Sequence, residues 1–319
     1  MTQLFAVTGA GPVGWTIAEH LASRGDTVRV LTRSGSGPDL PGIERVRADA
    51  SDYRQMQQAF DGASAVFHCI HGSAYTAAAW ESELPRAEQV VLEAAGRAGA
   101  VVVFPESLYS YDRPGEVLTE SSSRGAGGGK RGVRTTLLQQ REASSTATVS
   151  VVASDFYGPR VRTAHAGERI VPRVLAGKTI RPLGNPDLPH SFTYVPDLAA
   201  AMIAAAARDE LWNSLLHAPT AAAPTLREMV RGFARAAGVA EPRTKPISGR
   251  MVRALGVVSG DLRELKELLY QFENPFVMDS SRSEALLDLK PTPLQQGAAA
   301  TVSWWQGKEA AVDSPKIIQ

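Results

Sequence analysis

A glycine-rich turn near the start of the chain constrains the fold more than any other feature. Residues 9–14 read GAGPVG and lie between an apolar stretch at 4–8 and an apolar-periodic stretch that runs to residue 23. In a strand–turn–helix unit, Gly9 permits the tight turn, Gly11 lets a pyrophosphate approach the backbone, and Gly14 lets helix and strand pack closely. The phosphates would lie at the helix N-terminus, where free N–H groups favour negative charge. The sequence therefore predicts a dinucleotide site, with these candidate residues: Gly9, Gly11, Pro12, Val13 and Gly14.

The residues after the second apolar stretch, at 27–31, bear on which dinucleotide the turn would accept. In an NAD(H) site an acidic residue here hydrogen-bonds the ribose 2′-OH. This chain instead has Arg33 and Ser34, whose guanidinium and hydroxyl suit a 2′-phosphate. We therefore expect NADP(H) in preference to NAD(H). Two alternatives stay open: Arg33 is one more exposed surface charge, or the glycine turn belongs to another kind of parallel α/β protein.

Further candidate site residues follow the third and fourth predicted strands. Asp49 and Ala50 come after the strand at 43–47; Asp49 either reads the adenine amino group or only caps a turn. His71 directly follows the strand at 65–70. Because the carboxyl ends of parallel strands face the ligand crevice, His71 is a candidate to touch substrate. Two aromatic residues that could line a substrate pocket come next, Tyr75 and Trp80. The alternatives are a structural histidine and core aromatic residues.

The order of the apolar stretches predicts the fold. Strand-like and helix-like stretches alternate through the first half of the chain, which is typical of a parallel sheet with right-handed crossovers. We predict an α/β protein with a Rossmann-type doubly wound parallel sheet and a smaller C-terminal substrate lobe. The expected domains are 1–159 for the dinucleotide and 160–319 for the substrate, with 191–218 returning to the sheet. The glycine-rich loop at 113–129 is expected to be a functional lid or disordered. Asp52 is predicted to cap a helix that runs to Phe60, and a further helix is expected from about Pro85 to Gly96.

Composition narrows the class of partner. The formal net charge is +1, from 34 basic and 33 acidic residues that are scattered along the chain, so no patch for nucleic acid or an anionic membrane is predicted. The single cysteine, Cys69, excludes an internal disulfide and a cysteine-based zinc site, and no metal is expected. No apolar stretch is long enough to span a membrane and no signal-peptide pattern is found. We expect a cytoplasmic protein with a small-molecule substrate; a homodimer stays open.

Five motifs in a fixed order resemble those of a known family. They are GAGPVG at 9–14, DASD at 49–52, SLYSY at 107–111, FYGP at 156–159 and FTYVPDLA at 192–199. The chain resembles the extended or atypical short-chain dehydrogenase/reductases of the NAD-dependent epimerase/dehydratase type, over residues 4 to about 220. The resemblance implies a nicotinamide cofactor and hydride transfer at a carbinol or carbonyl carbon. It also implies that Phe156 and Tyr157 lie near the nicotinamide, with Tyr157 close to the substrate.

The resemblance also implies a catalytic set, which this chain matches only in part. The family uses a Ser that hydrogen-bonds the substrate oxygen, a Tyr that moves the proton, and a Lys four residues later that holds the nicotinamide ribose. Ser107 and Lys130 match, but Ala126 stands at the tyrosine position, and none of the seven tyrosines is followed by lysine at that spacing. We expect the proton to come from Tyr109, with Tyr111, Tyr157 or a bound water as alternatives. A further alternative is that Lys130 is only an exposed residue at a helix start.

These observations lead to one functional expectation and two alternatives. We expect an NADP(H)-dependent reductase acting on a carbonyl or conjugated carbonyl of a small metabolite. The first alternative is a nucleotide-sugar epimerase or dehydratase. The diphosphate of such a substrate could bind to a group of arginines: Arg160, Arg162, Arg169, Arg173 and Arg181. The second alternative is a dinucleotide-binding sensor, or a non-redox enzyme such as a cyclase or isomerase, on the same fold.

Overall fold

The computed structural model describes residues 2–249 and 266–309. These residues fall into two compact units. The first unit comprises the chain up to Ser154 together with Pro196–Thr220 and Met278–Lys290. The second unit comprises Asp155–Val195, Ala221–Val277 and the chain from Pro291 on.

Nine strands occur in the described part of the chain. They are β1 (Leu4–Thr8), β2 (Thr27–Thr32), β3 (Ile43–Arg47), β4 (Ala65–His68), β5 (Val101–Ser107), β6 (Thr148–Ala153), β7 (Asp155–Tyr157), β8 (Phe192–Tyr194) and β9 (Ser214–His217). Seven of them form one sheet in the order β3-β2-β1-β4-β5-β6-β9, and every neighbouring pair is parallel. The predicted Rossmann-type doubly wound sheet is confirmed.

Six α-helices of the described residues lie between these strands, and four more follow β9. They are α1 (Pro12–Ser23), α2 (Tyr53–Phe60), α3 (Ala77–Ala98), α4 (Gly129–Glu142), α5 (Val171–Leu175), α6 (Val195–Ala206), α7 (Leu226–Ala237), α8 (Tyr270–Glu273), α9 (Ser281–Leu287) and α10 (Leu294–Glu309). None of them is both long and apolar enough to cross a membrane.

The middle of the sheet is buried on both faces. Every residue of β4 and β6 is buried, as expected for parallel strands that helices cover on either side. The core on one face includes Phe60, Val66 and Phe104. Since the strands are rigid in such a core, the loops at their carboxyl ends are held in defined positions.

Two helix starts show how local sequence sets the boundaries. The Asp52 side chain accepts a hydrogen bond from the Gln55 N–H and caps α2, as the sequence suggested. The α3 helix starts at Ala77, eight residues before the predicted start at Pro85, because the Thr76 hydroxyl caps it through the Ala79 N–H. Pro85 lies inside this helix.

The first unit includes a late segment that the sequence did not assign to it. The α9 helix packs beside β9. The Ser283 hydroxyl and N–H each donate a hydrogen bond to Glu120, and the hydroxyl accepts one from the His217 N–H. These contacts hold Met278–Lys290 in the first unit. Glu120 belongs to the glycine-rich loop, so this loop is fixed at that point by a buried hydrogen bond.

The second unit has its own core. β7 and β8 pair in parallel, and helices α5, α7 and α10 pack together around residues such as Val171, Phe233 and Trp305. The predicted boundary at residue 159 differs from the observed one at Ser154, because β7 pairs with β8 and not with the large sheet.

Candidate active site

The glycine turn between β1 and α1 has the geometry of a dinucleotide cradle. Gly9 has a φ of +92°, and a Cβ there would lie 2.8 Å from the Cys69 carbonyl oxygen; at Gly14 a Cβ would lie 2.1 Å from the Gly9 carbonyl oxygen. A Cβ on Gly11 would meet no atom within 4 Å. The first and third glycines are therefore required by the protein itself, whereas Gly11 borders open space that a ligand can fill.

The start of α1 has no competing cap. Its N-cap residue, Gly11, has no side chain, and the first turn contains Pro12 and no acidic residue. The free N–H groups and the helix dipole are thus available to an anion. The residues present fit the pyrophosphate of a nicotinamide dinucleotide, which would lie against Gly11, Pro12, Val13 and Gly14.

The loops after β2 and β3 carry the other predicted cofactor residues. Arg33 and Ser34 are exposed, and the Ser34 hydroxyl donates to the Ser36 hydroxyl. The Asp49 carboxylate accepts hydrogen bonds from the Ser51 N–H and hydroxyl at 2.9 and 2.8 Å, which hold its pKa below the ordinary value. Asp49 therefore caps a turn while its side chain stays exposed, and Ala50 is buried beside it.

Four predicted substrate and catalytic residues meet after β4 and β5. We call His71, Tyr75, Trp80 and Tyr109 the aromatic cluster. His71 stacks on Tyr75 with ring centroids 5.9 Å apart. Both rings are nearly perpendicular to the Trp80 ring, and their centroids lie 4.8 Å and 5.4 Å from its centroid. Tyr109 stacks on Trp80 at 6.1 Å, and the Tyr75 and Tyr109 hydroxyls are hydrogen-bonded to each other. Trp80 is buried, whereas the Tyr75 side chain is exposed.

Two cations from α4 lie against this cluster. Lys130 is completely buried, and its Nζ lies 5.3 Å from the Tyr75 ring centroid. The Arg134 guanidinium lies 4.8 Å from the Trp80 ring centroid. Lys130 is therefore not the exposed helix-start residue of the alternative interpretation. The family's tyrosine position holds the buried Ala126. The phenol whose ring lies against Lys130 is Tyr75 instead.

Ser107 ends β5, and its hydroxyl points towards a carboxylate. Its Oγ donates to Glu106 Oε1 at 3.2 Å, its N–H donates to the same oxygen at 2.7 Å, and the Tyr109 N–H approaches Oγ at 3.5 Å. With its hydrogen directed to Glu106, Ser107 can offer a lone pair to a ligand. It is then an acceptor for a hydroxyl group.

A buried network of charges lies behind Ser107 and was missed by the sequence reasoning. Arg141 forms a two-point ion pair with Glu88, at 2.8 and 2.6 Å, and reaches Glu106 at 2.8 Å. Arg134 adds a second cation, 3.6 Å from Glu106. The members come from α3, α4 and β5, so only the fold brings them together.

The pKa values of two histidines after and in β4 are lowered. Burial lowers the pKa of His68 to about 3, and His68 Nδ1 lies 2.7 Å from the Thr8 hydroxyl. Burial, with the charge of Arg134, also lowers the pKa of His71, whose side chain keeps an exposed edge. Burial raises the pKa of the adjacent Cys69 thiol. His68 is therefore not a cation near neutrality.

Tyr111 is not part of the aromatic cluster. Its hydroxyl lies 2.6 Å from Nε2 of His217, its side chain is fully buried, and burial raises its pKa. The structure thus places this candidate in a buried pair between β5 and β9, where it cannot reach a ligand. Nothing in the local sequence marked His217 as its partner.

The remaining candidates belong to the second unit. Tyr157 is buried, its ring lies 5.2 Å from that of Tyr194, and its hydroxyl would touch any Cβ placed on Gly297. Phe156 precedes it in β7 and is partly buried. The five arginines that we considered for a diphosphate all lie in this unit.

No group of three or more His, Cys, Asp or Glu residues within 2–249 and 266–309 could hold a metal ion. In the described site, the glycine turn offers a place for a dinucleotide, and Tyr75 beside Lys130 offers a group that could exchange a proton.

Comparison with known proteins agrees with this geometry. Among curated protein sequences, none matches the chain significantly. Similar solved structures include the Bordetella bronchiseptica enzyme WbmH in complex with NAD+ (TM-score 0.76, 19% identity, covering 96% of this chain and 99% of that one). Another is the UDP-glucose 4-epimerase of Thermotoga maritima with UDP-glucose, with a TM-score of 0.75 and 18% identity, covering 96% of this chain and 100% of that one. A third is the UDP-glucuronic acid 4-epimerase of Bacillus cereus in complex with NAD, with a TM-score of 0.73 and 15% identity, covering 96% of this chain and 99% of that one.

At these identities the structural likeness shows the fold. The family itself is shown by sequence, because the profile of the NAD dependent epimerase/dehydratase family matches residues 5–213, well over half of the chain. That match contains the glycine turn, the aromatic cluster, Ser107 and Lys130. The chain belongs to the NAD dependent epimerase/dehydratase family.

Proposed function

We propose that this protein uses a bound nicotinamide dinucleotide to oxidise, and then reduce again, a hydroxyl-bearing carbon of a nucleotide-linked sugar. This is the epimerase or dehydratase alternative of the sequence analysis, and it replaces the carbonyl reductase as the favoured function. Its support comes from the family and from the sugar nucleotides after which two structural relatives are named, UDP-glucose and UDP-glucuronic acid.

The observation that carries the proposal is a buried lysine beside a phenol pair, in the same unit as the glycine cradle. Lys130 lies against the ring of Tyr75, and Tyr75 is hydrogen-bonded to Tyr109. The dinucleotide, when bound, supplies the hydride acceptor. Lys130, which is completely buried, would stabilise negative charge on a phenol, and this phenol would exchange the hydroxyl proton of the substrate.

The Ser107 hydroxyl can bind both a sugar hydroxyl and the carbonyl that oxidation makes from it. Its Oγ donates to Glu106 Oε1 at 3.2 Å, which leaves a lone pair for a substrate hydroxyl. Because a hydroxyl group rotates about its C–O bond, Ser107 can also turn to donate to a carbonyl oxygen.

For the cofactor, we propose NAD(H) first. The family description and two of the similar structures name NAD, and they give no support to the NADP(H) preference that we expected from Arg33. That expectation stays a prediction, because Arg33 is exposed after β2 and its neighbours in sequence, Thr32 and Ser34, are not acidic.

The proposal is tested by incubating the purified protein and NAD+ with UDP-glucose, UDP-glucuronic acid and UDP-N-acetylglucosamine, and separating the sugar products by chromatography. We expect epimerised or dehydrated product from one sugar nucleotide, and none from a Gly11→Ala variant that cannot seat the pyrophosphate. A Gly115→Ala variant serves as control, because Gly115 has no neighbour within 4 Å of an added Cβ and lies outside the cradle. Consumption of NADPH with simple ketones, together with inertness towards every sugar nucleotide, would restore the reductase interpretation.

Ala126 favours a second candidate function, that of a dinucleotide-binding protein without turnover. A family member with alanine at the tyrosine position has lost the usual proton donor. Tight dinucleotide binding without any product from the sugar nucleotides or the ketones would support this candidate.

A further inference from the structure

We propose that Tyr75 exchanges the substrate proton and that Tyr109 is its hydrogen-bond partner, so that a phenol pair replaces the missing tyrosine. This inference rests on the proposed function and assigns its proton-transfer step. The sequence analysis had placed Tyr75 only in the wall of the substrate pocket and had given the proton to Tyr109.

The first step of the argument is the contact between the phenols. The two hydroxyls, 34 residues apart in sequence, are hydrogen-bonded, so one phenol donates to the other. When one of two hydrogen-bonded phenols loses its proton, the remaining O–H donates to the phenolate oxygen and stabilises it. The pair therefore ionises at a lower pH than either phenol alone, so that more phenolate is present near neutral pH to accept a proton.

The second step is the position of Lys130. Its Nζ lies over the ring of Tyr75, 5.3 Å from the centroid, in a side chain with no exposed surface. A phenolate spreads negative charge into its ring, so a buried cation over that ring favours the ionised form more than the neutral one. In the family pattern the lysine acts on a phenol four residues earlier in its own helix; here it acts on one from the loop after β4.

The third step separates Tyr75 from Tyr109. The Tyr75 side chain is 45% exposed and can meet a ligand that enters from solvent. Tyr109 is partly buried, stacked on Trp80, and its carbonyl oxygen accepts a hydrogen bond from Arg131. Tyr109 is thus fixed in place, whereas Tyr75 is accessible to the substrate hydroxyl.

The proton and electron balance is complete with NAD+ as the oxidant. The substrate hydroxyl gives its proton to the Tyr75 phenolate oxygen, which breaks the substrate O–H bond and forms the phenol. The substrate carbon gives its hydrogen, with the bonding electron pair, to the oxidised dinucleotide, and the C–O single bond becomes a carbonyl. Reduction reverses both transfers, and Tyr75 returns the proton to the new hydroxyl oxygen.

One test uses the protein without ligands. The seven tyrosines are titrated by the near-ultraviolet absorbance of tyrosinate in the wild type and in Tyr75→Phe, Tyr109→Phe and Lys130→Met. We expect one tyrosine of the wild type to ionise at a lower pH than the others, and this early phase to disappear in Tyr75→Phe and to move to higher pH in the other two variants. Tyr53→Phe, on α2, is the matched control and keeps the early phase.

The second test uses the substrate found for the proposed function. Loss of a general acid–base group lowers kcat by about 10²–10⁴-fold, so Tyr75→Phe is expected to lose at least 100-fold in kcat with the dinucleotide affinity unchanged. Tyr109→Phe is expected to lose less and to shift the acidic limb of the pH profile upward. Tyr53→Phe again keeps the wild-type rate.

The outcomes distinguish this inference from the proposed function. An early tyrosinate phase that survives in Tyr75→Phe, or a Tyr75→Phe enzyme with wild-type kcat, overturns the role of Tyr75 even if the sugar-nucleotide chemistry is established. If the wild type converts no sugar nucleotide, the proposed function fails, while the titration still decides whether Tyr75 and Lys130 form an ionising pair.

Discussion

Gly14 approaches Gly9 so closely that a Cβ at position 14 would lie 2.1 Å from the Gly9 carbonyl oxygen. The clash involves backbone, which cannot move aside as a flexible side chain would. We expect Gly14→Ala to displace α1 from the first strand and to lower the free energy of unfolding by about 1–3 kcal/mol, as overpacking does. Urea unfolding measures this change, and a midpoint equal to that of the wild type would contradict the close packing.

Gly11 offers the matched comparison. Its φ of −71° is allowed for alanine, and an added Cβ meets nothing within 4 Å. We expect Gly11→Ala to unfold at the wild-type urea concentration but to bind NADH at least tenfold more weakly, which corresponds to about 1.4 kcal/mol. Calorimetric titration measures the affinity. Undiminished binding would show that the dinucleotide does not lie against this turn.

Arg33 tests the choice of dinucleotide. If its exposed guanidinium meets a 2′-phosphate, Arg33→Ala weakens NADPH binding by about tenfold or more, the loss of one charge-assisted hydrogen bond, and leaves NADH binding unchanged. If NAD(H) is the cofactor, as we propose, wild type and variant bind NADH equally and both bind NADPH weakly. Arg24→Ala, a change of another exposed arginine in the same unit, is the control.

The fold was predictable because its signals are local. The glycine turn after β1 and the alternation of apolar stretches through β6 were sufficient for a doubly wound parallel sheet. The start of α3 was placed too late because Pro85 is a typical first-turn residue, whereas here it lies within a longer helix that Thr76 caps. The return of Met278–Lys290 to the first unit could not be predicted, since it depends on Ser283 meeting a carboxylate 163 residues earlier, Glu120.

From the sequence, only the site residues that directly follow a predicted strand could be identified. His71, Tyr75 and Tyr109 follow β4 and β5, so their place at the carboxyl edge of the sheet follows from the fold class. Tyr111 was assigned as a second catalytic candidate on the same basis, but its hydroxyl is hydrogen-bonded to His217 instead. Their pairing spans 106 residues, a separation over which sequence spacing carries no information.

The buried network around Arg141 makes a prediction about stability. Arg141 and Glu88 are almost fully buried and paired at two points, and removing one partner leaves an unpaired buried charge. We expect Arg141→Met to lower the free energy of unfolding by about 3–5 kcal/mol, while the double variant Arg141→Met with Glu88→Gln recovers part of the loss. Urea unfolding of the four proteins forms the cycle. Equal losses in the single and double variants would mean that Glu88 is compensated by other groups.

The buried His68 side chain makes the stability of the folded protein depend on pH. Burial, followed by the charges of Arg141 and Arg134, lowers its pKa from 6.5 to about 3. The unfolded chain therefore binds a proton below pH 6.5 that the folded protein does not accept until about pH 3. Since the unfolded state then holds more protons, stability is complete above pH 6.5 and falls as the pH decreases, by up to about 1.4 kcal/mol per pH unit for this group.

The measurement is the urea midpoint from pH 7.5 down to about pH 4, in the range where this linkage acts. His68→Asn keeps a hydrogen-bonding group near the Thr8 hydroxyl but cannot titrate, so its stability should be lower at neutral pH and should fall less steeply in acid. His20→Asn is the control, because His20 is only partly buried on α1 and its loss should leave most of the slope. Other histidines whose pKa is lowered, such as the half-buried His165, keep some acid sensitivity in both variants. A slope in His68→Asn as steep as in the wild type would mean that His68 is protonated in the folded protein, and that its ring is reached by water despite its position in the sheet.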